Sequence, residues 1–228
     1  MLTKRRGLWA GALILYAVFW IWYTPWGGPL TDEEVDNHFA AMIEEARAAG
    51  RVSEADLAQM SEGDLGRIEG MKGFLKNDNG RSFVMVNLID EIDGSVDLPG
   101  GGVASTSTDA LKNYNAYMIP RLFSRASHPI FIGKGEISTF VLGNLSNVSE
   151  WDQVALVRYR SRRDFMQITG SLAFRDSFEF KAAAVPRSIA QPVTVQFWMF
   201  DLRFVLAIGM LLVTMAVDLF WLRPKTPY

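Results

Sequence analysis

The chain has 228 residues, a formal net charge of −2, two histidines and no cysteine. That length suits one core-forming domain with extra segments rather than two large domains. The balanced charge and the lack of a basic stripe argue against a nucleic-acid partner, and the missing cysteines exclude disulfides, thiolate nucleophiles and cysteine-held metal clusters within the chain.

Hydropathy is uneven along the chain. Leu8 to Trp26 carries no charge, follows Lys4, Arg5 and Arg6, and ends in Trp20, Trp22, Tyr23 and Trp26 before Gly27-Gly28-Pro29. At about 1.5 Å per residue this run matches the hydrocarbon thickness of a bilayer, and its aromatics fit an interfacial belt. It exceeds a usual signal-peptide core and lacks a small-x-small cleavage site, so it is read as an uncleaved anchor.

A helical lead-in of residues 30–78 follows. Thr31 with Glu34 forms a capping box, and Val35, Phe39, Met42, Ile43 and Ala46 share one face. Ser53 with Asp56 and Ser61 with Asp64 start two further helices, the last carrying Leu65, Ile68, Met71 and Leu75. This lead-in is expected to cap the next domain.

Asn79-Gly80 marks a turn into the apolar run Phe83 to Ile89, interrupted only by Asn87, a pattern that predicts a strand buried on both faces. Residues 93–108, with Gly100-Gly101-Gly102 at their centre, read as a flexible connection, because no nucleotide-loop fingerprint surrounds the glycines. Asp90, Glu91, Asp93 and Asp97 do not fit the EF-hand register. A helix over 110–127 places Leu111, Tyr114, Met118 and Leu122 on one face. Extended pieces at 129–133, 137–142 and 154–159, a helix over 163–184 and an extended piece at 188–195 complete the domain of residues 79–196. The fold class is α+β, with the ferredoxin-like β-α-β-β-α-β plan. That plan leaves one sheet face without helices. It predicts pairing through this face with a second copy or another subunit.

Phe197 to Leu222 forms a second membrane-length segment, uninterrupted from Phe204 to Val217 and followed by Trp221, Arg223 and Lys225. Basic residues flank both spans on their terminal sides, and Asp32, Glu33, Glu34 and Asp36 follow the first span. The positive-inside rule then predicts cytoplasmic termini and a periplasmic middle domain on a bacterial inner membrane. Asp218 lies inside the second span, where a carboxylate is costly; it is expected to face Lys4, Arg5 and Arg6 across an antiparallel helix pair, or a partner subunit, or to snorkel to headgroups.

Polar residues within apolar strands are the candidate ligand-binding groups. Arg158 shares a strand side with Val154 and Leu156, and Asn87 needs partners if buried. Asn87, Tyr114 and Arg158 are expected to converge on a cleft above the sheet, as a binding site or a structural network. His128, before Pro129, reads as a local hydrogen-bonding residue. No catalytic triad or close carboxylate pair is legible, and no cofactor is expected.

The Phe83–Ile89 stretch, the helix with Tyr114 and Tyr117, and Trp151 to Arg162 with Phe165 and Met166 resemble an uncharacterised ferredoxin-like family of the dimeric α+β barrel superfamily. The resemblance covers about residues 80–192. Arg160 stands where that family would carry proline, and Asp90-Glu91 where it is usually basic. It implies a dimeric barrel domain, and with the flanking spans the chain reads as a membrane-anchored, non-catalytic binding or assembly module, such as an accessory subunit of a membrane complex. The alternative it implies is a small oxygenase- or isomerase-like enzyme acting on a small organic molecule.

Overall fold

The computed structural model describes residues 2–136 and 150–222. The expected strand at 137–142, and Arg223 and Lys225, lie outside them. Two compact units emerge: Pro25–Thr194, and a terminal unit formed by Met1–Thr24 with Val195–Tyr228.

In the larger unit, α2 (Asp32–Ala48), α3 (Glu54–Ala58) and α4 (Glu62–Lys76) begin at caps made by Thr31, Ser53 and Ser61, with full capping boxes at the first two. Each cap satisfies orphan N–H groups of the first turn, which is why these starts were local and legible. The lead-in belongs to the main core: Leu30, Val35 and Leu75 pack with Phe83, Met85, Met118, Leu122, Tyr159, Phe165 and Ile168. Arg163 also clamps Glu34, with Nη1 to Oε1 at 2.5 Å and Nη2 to Oε2 at 3.1 Å. Gly80 sits at φ +69, and an added Cβ would lie 3.1 Å from Pro29 N and 3.2 Å from Gly28 C, closer than ordinary van der Waals contact, so the turn admits glycine and little else.

Strands β1 (Phe83–Asp90), β4 (His128–Lys134), β5 (Gln153–Tyr159) and β6 (Arg187–Val193) form an antiparallel sheet in the order β4-β5-β1-β6. Between β1 and β4 run α5 (Ser107–Ala110) and α6 (Lys112–Ser124); between β5 and β6 run α7 (Arg162–Thr169) and α8 (Leu172–Ala184). This is the β-α-β-β-α-β order. The expected single helix over 163–184 is two helices, broken at Gly170-Ser171, where Ser171 Oγ caps α8 by accepting from Phe174 N.

Strand register sorts side chains by parity. Phe83, Met85, Val157 and Tyr159 face the helices and the core. The opposite face carries Val86, Leu88, Val154 and Leu156, half-exposed, with Phe131 and Ile189 more exposed still. Burial of β1 on both faces therefore holds at Phe83, Val84 and Met85 and ends at Val86.

The glycine-rich segment is not a flexible connection. It is a short hairpin, β2 (Val96–Asp97) and β3 (Val103–Ala104), closed by Leu98 N–H donating to Gly102 O and Gly101 N–H to Leu98 O. Gly100, Gly101 and Gly102 all have positive φ, which three consecutive side-chain-bearing residues would resist. Val96 and Ala104 anchor it in a second small core with Ala110, Ala184 and Val185.

The terminal unit pairs α1 (Leu2–Tyr23) with α9 (Leu202–Phe220). Both are long and apolar enough to cross a membrane.

Candidate functional site

A cavity of about 330 Å³ lies between the sheet and the helices of the larger unit. Its walls are mostly apolar: Ile89, Leu111, Met118, Leu122, Val157 and Val185. Strand parity brings Asn87 and Gln153 into it, while α6 and α8 supply Tyr114 and Lys181.

The Asn87 amide NH2 donates to the Met85 and Ala155 carbonyls, each at 3.1 Å, which pins the side chain against the sheet. Its carbonyl oxygen takes no hydrogen bond among the described residues. Tyr114 lies edge-on to Phe178, and burial pushes its phenol up to about 12. Lys181 Nζ lies 5.4 Å from the Tyr114 ring centroid and 5.9 Å from that of Phe178. It makes no ion pair among the described residues, and burial holds its amine below the ordinary lysine value. Glu91, at the cavity edge, is shifted the other way, first by burial and then by the neighbouring Asp152.

Arg158 is not part of this cavity. It pairs in register with Val84 and His128, on the face of Val154 and Leu156 that parity sets opposite Asn87. The expected convergence of Asn87, Tyr114 and Arg158 fails for that reason: the β1–β5 register, with Asn87 opposite Ala155, sends the amide and the guanidinium to different sides. Arg158 is buried, and its Nη1 donates to the Ala126 carbonyl at 2.8 Å. Ala126 has φ +49 and closes α6 in a Schellman arrangement, with Ser127 N–H donating to Leu122 O and Ala126 N–H to Phe123 O. Arg158 thus places a cation at a helix C-terminus, a favourable electrostatic position. His128 bonds through Nδ1 to the Pro129 carbonyl and stacks on Phe123, a local role.

Sequence reasoning misses Lys181 altogether and reads Glu91 only as part of an acidic stretch, not as a cavity residue. Lys181 lies in a helix rich in charged residues, and only packing reveals that it, rather than its neighbours, turns inward.

In the terminal unit, Arg5 grips Asp218: Nη2 donates to Oδ2 at 2.6 Å, and Nε donates to Oδ1. Asp218 is buried, and so is Thr214 one turn earlier on α9. Near the other end of the pair, Arg203 is held by Asp201 at 2.7 Å and lies 5.1 Å from the Trp20 ring centroid; Tyr16 donates to the Arg203 carbonyl. Lys4 and Arg6 form no ion pair with Asp218 among the bonds described.

No protein-family model matches the chain, and no curated protein does. Among solved structures, the chain is similar to a methylated protein from Rhodopseudomonas palustris, at 19% identity and TM-score 0.50, over 58% of this chain and 93% of that one. A second crystal structure of that protein, described as of unknown function, gives 19% identity and TM-score 0.49 over 57% and 94%. A dimeric protein of unknown function and ferredoxin-like fold from Bacteroides fragilis aligns at 9% identity and TM-score 0.30, over 50% and 96%. The first of these likenesses shows a shared fold over 58% of the chain and nothing of its chemistry.

Proposed function

We propose that this protein is a membrane-anchored binding or assembly module: an antiparallel pair of membrane-spanning helices carrying one α+β domain, which pairs through its open sheet face with a second copy. The observation that carries the reading is the surface of the end helices. Only 6% of the α1 span and 11% of the α9 span is buried within the structure. Leu13, Leu15, Val18, Phe204, Leu212 and Val213 are each more than half exposed. A core helix of a soluble protein would bury such residues, and an apolar surface of that extent is not stable in water. Phe197, Trp198 and Phe200 lie just before α9, and Trp20 and Trp22 in the last turns of α1, as an interfacial belt requires.

With the termini cytoplasmic, the domain of residues 25–194 would lie in the periplasm of a bacterial cell. The half-exposed apolar face of Val86, Leu88, Leu156, Phe131 and Ile189 supports pairing through the sheet, the arrangement of a dimeric α+β barrel. A role as an accessory subunit of a larger membrane complex would use the same exposed apolar face.

Alkaline carbonate extraction of membranes, with N-terminal sequencing of the mature chain, tests the anchor. An integral protein starting at or near Met1 is expected; release into the supernatant, or loss of the first 26 residues, overturns the reading. Light scattering of the full chain in mild detergent tests pairing. A dimer that becomes monomeric on Leu156→Glu is expected, and a monomer at micromolar concentration refutes it.

A further inference from the structure

We infer that the cavity between the sheet and α6/α8 binds a small organic monoanion, a carboxylate with an apolar body, whose charged end meets the Lys181 amine and the Tyr114 hydroxyl. The inference rests on the larger unit alone and is independent of membrane anchoring.

Three features of the cavity carry it. Its volume, about 330 Å³, falls in the range of small-ligand sites. Its polar atoms are unspent: Lys181 Nζ, the Tyr114 hydroxyl and the Asn87 carbonyl oxygen have no hydrogen-bond partner among the described residues. None of the three is among the fully buried unpartnered atoms of the described residues, so each stays accessible and is free to bond a ligand that enters the cavity. The third feature is the charge inventory. Lys181 is the only cation among the described lining residues, so the site can neutralise one negative charge and no more. A phosphate dianion would exceed it.

Glu91 lines the same cavity and bears on the sign of the ligand. No ion pair joins it to Lys181 among the described residues, so it does not occupy the amine that the ligand's charged end would meet; burial, and then the neighbouring Asp152, raises its pKa. The Asn87 carbonyl oxygen, an acceptor only, would suit a hydroxyl or N–H on the ligand. The apolar body would lie on Met118, Leu122, Ile89 and Val157. Lys181, resting beside the faces of Tyr114 and Phe178, is held by aromatic rings rather than by a counter-ion, so an entering carboxylate displaces no existing partner.

The test uses the full-length chain in nanodiscs of neutral phosphatidylcholine. Phenylacetate and hexanoate are the anionic probes, phenylacetamide the neutral isostere and inorganic phosphate the dianion, each titrated by calorimetry and by thermal shift. Phenylacetate or hexanoate should bind and raise the unfolding temperature, phenylacetamide should bind at least about tenfold more weakly, and phosphate should not bind. Lys181→Gln should weaken the carboxylate by about tenfold or more, Tyr114→Phe by less, and Lys112→Gln, an exposed residue on α6, should change nothing. The inference is overturned if neither carboxylate binds at about 10 mM, well above the range of specific small-ligand sites. It is equally overturned if the amide binds as tightly as the acid, or if Lys181→Gln leaves affinity unchanged. Should the variants misfold, the acid–amide comparison on the unaltered protein still decides.

Discussion

Arg5 and Asp218 stand 213 positions apart in the chain and share a two-pronged ion pair that joins the first turn of α1 to the last turn of α9. Near the other end, Arg203 lies over Trp20. Both helices separate their two contact points by the same 15 residues, positions 5 to 20 and 203 to 218, or about 22 Å of rise. A carboxylate within an apolar segment is expensive, and a bidentate guanidinium offsets that cost. Asp218→Ala should lower the unfolding temperature in nanodiscs, and the charge-reversed pair Arg5→Glu with Asp218→Arg should recover part of the loss. A double-mutant cycle should return a measurable favourable coupling between the two positions. Strict additivity would mean that the two residues act separately.

Arg158 should matter for stability and not for the cavity. Arg158→Met leaves the Ala126 carbonyl without its donor at a buried position, at a cost of about 1–3 kcal/mol. Urea unfolding should show the loss, while carboxylate affinity stays at the parent value, because Arg158 faces the other side of the sheet. A large change in affinity with unchanged stability would contradict the assignment.

The Glu34–Arg163 clamp predicts an acid-labile tie between α2 and α7. Arg163 and the Thr31 N–H hold the Glu34 carboxyl down at about 2, against an ordinary value of 4.5. A depressed carboxyl stabilises the fold above its unfolded value and loses that contribution as pH falls from about 4.5 through 2. Glu34→Gln should therefore flatten the dependence of the melting temperature on pH across that window. Parallel melting curves for parent and variant would rule the tie out.

Gly170 is set by packing rather than by backbone conformation. A Cβ there would collide with the His38 ring and crowd the Met166 carbonyl. Gly170→Ala should cost about 1–3 kcal/mol as overpacking. His38→Ala in the same chain should return part of it, because the ring is the first obstacle and the carbonyl the second. The two substitutions should be clearly non-additive by thermal denaturation; additive losses would show that the ring is not the obstacle.

Lys181 is expected to reduce stability in the empty protein. Its amine is held below its ordinary value of 10.5, so the folded state binds its proton less well than the unfolded state does. The resulting penalty is full below the folded value and disappears as pH rises toward 10.5. Lys181→Met should thus melt higher than the parent at neutral pH, with the gap narrowing at alkaline pH. A lower melting temperature at neutral pH would indicate that the aromatic contacts outweigh burial.

Much of the local structure was present in the sequence because its causes lie within four residues. Thr31 with Glu34 and Ser53 with Asp56 cap helices through bonds to the first turn, and an apolar run such as Phe83–Ile89 favours a strand wherever it lies. The apolar lengths of α1 and α9, and the β-α-β-β-α-β order, follow from composition and period. What only the tertiary structure decided depends on partners far along the chain. The register of β1 against β5, bridging about 70 residues, separates Arg158 from Asn87 and Tyr114. Packing of α8 turns Lys181 into the cavity, and three glycines read as slack become a hairpin once Val96 and Ala104 find Ala184 and Val185. Spacing states which residues can share a face; register and burial, set by the whole core at once, state which faces meet.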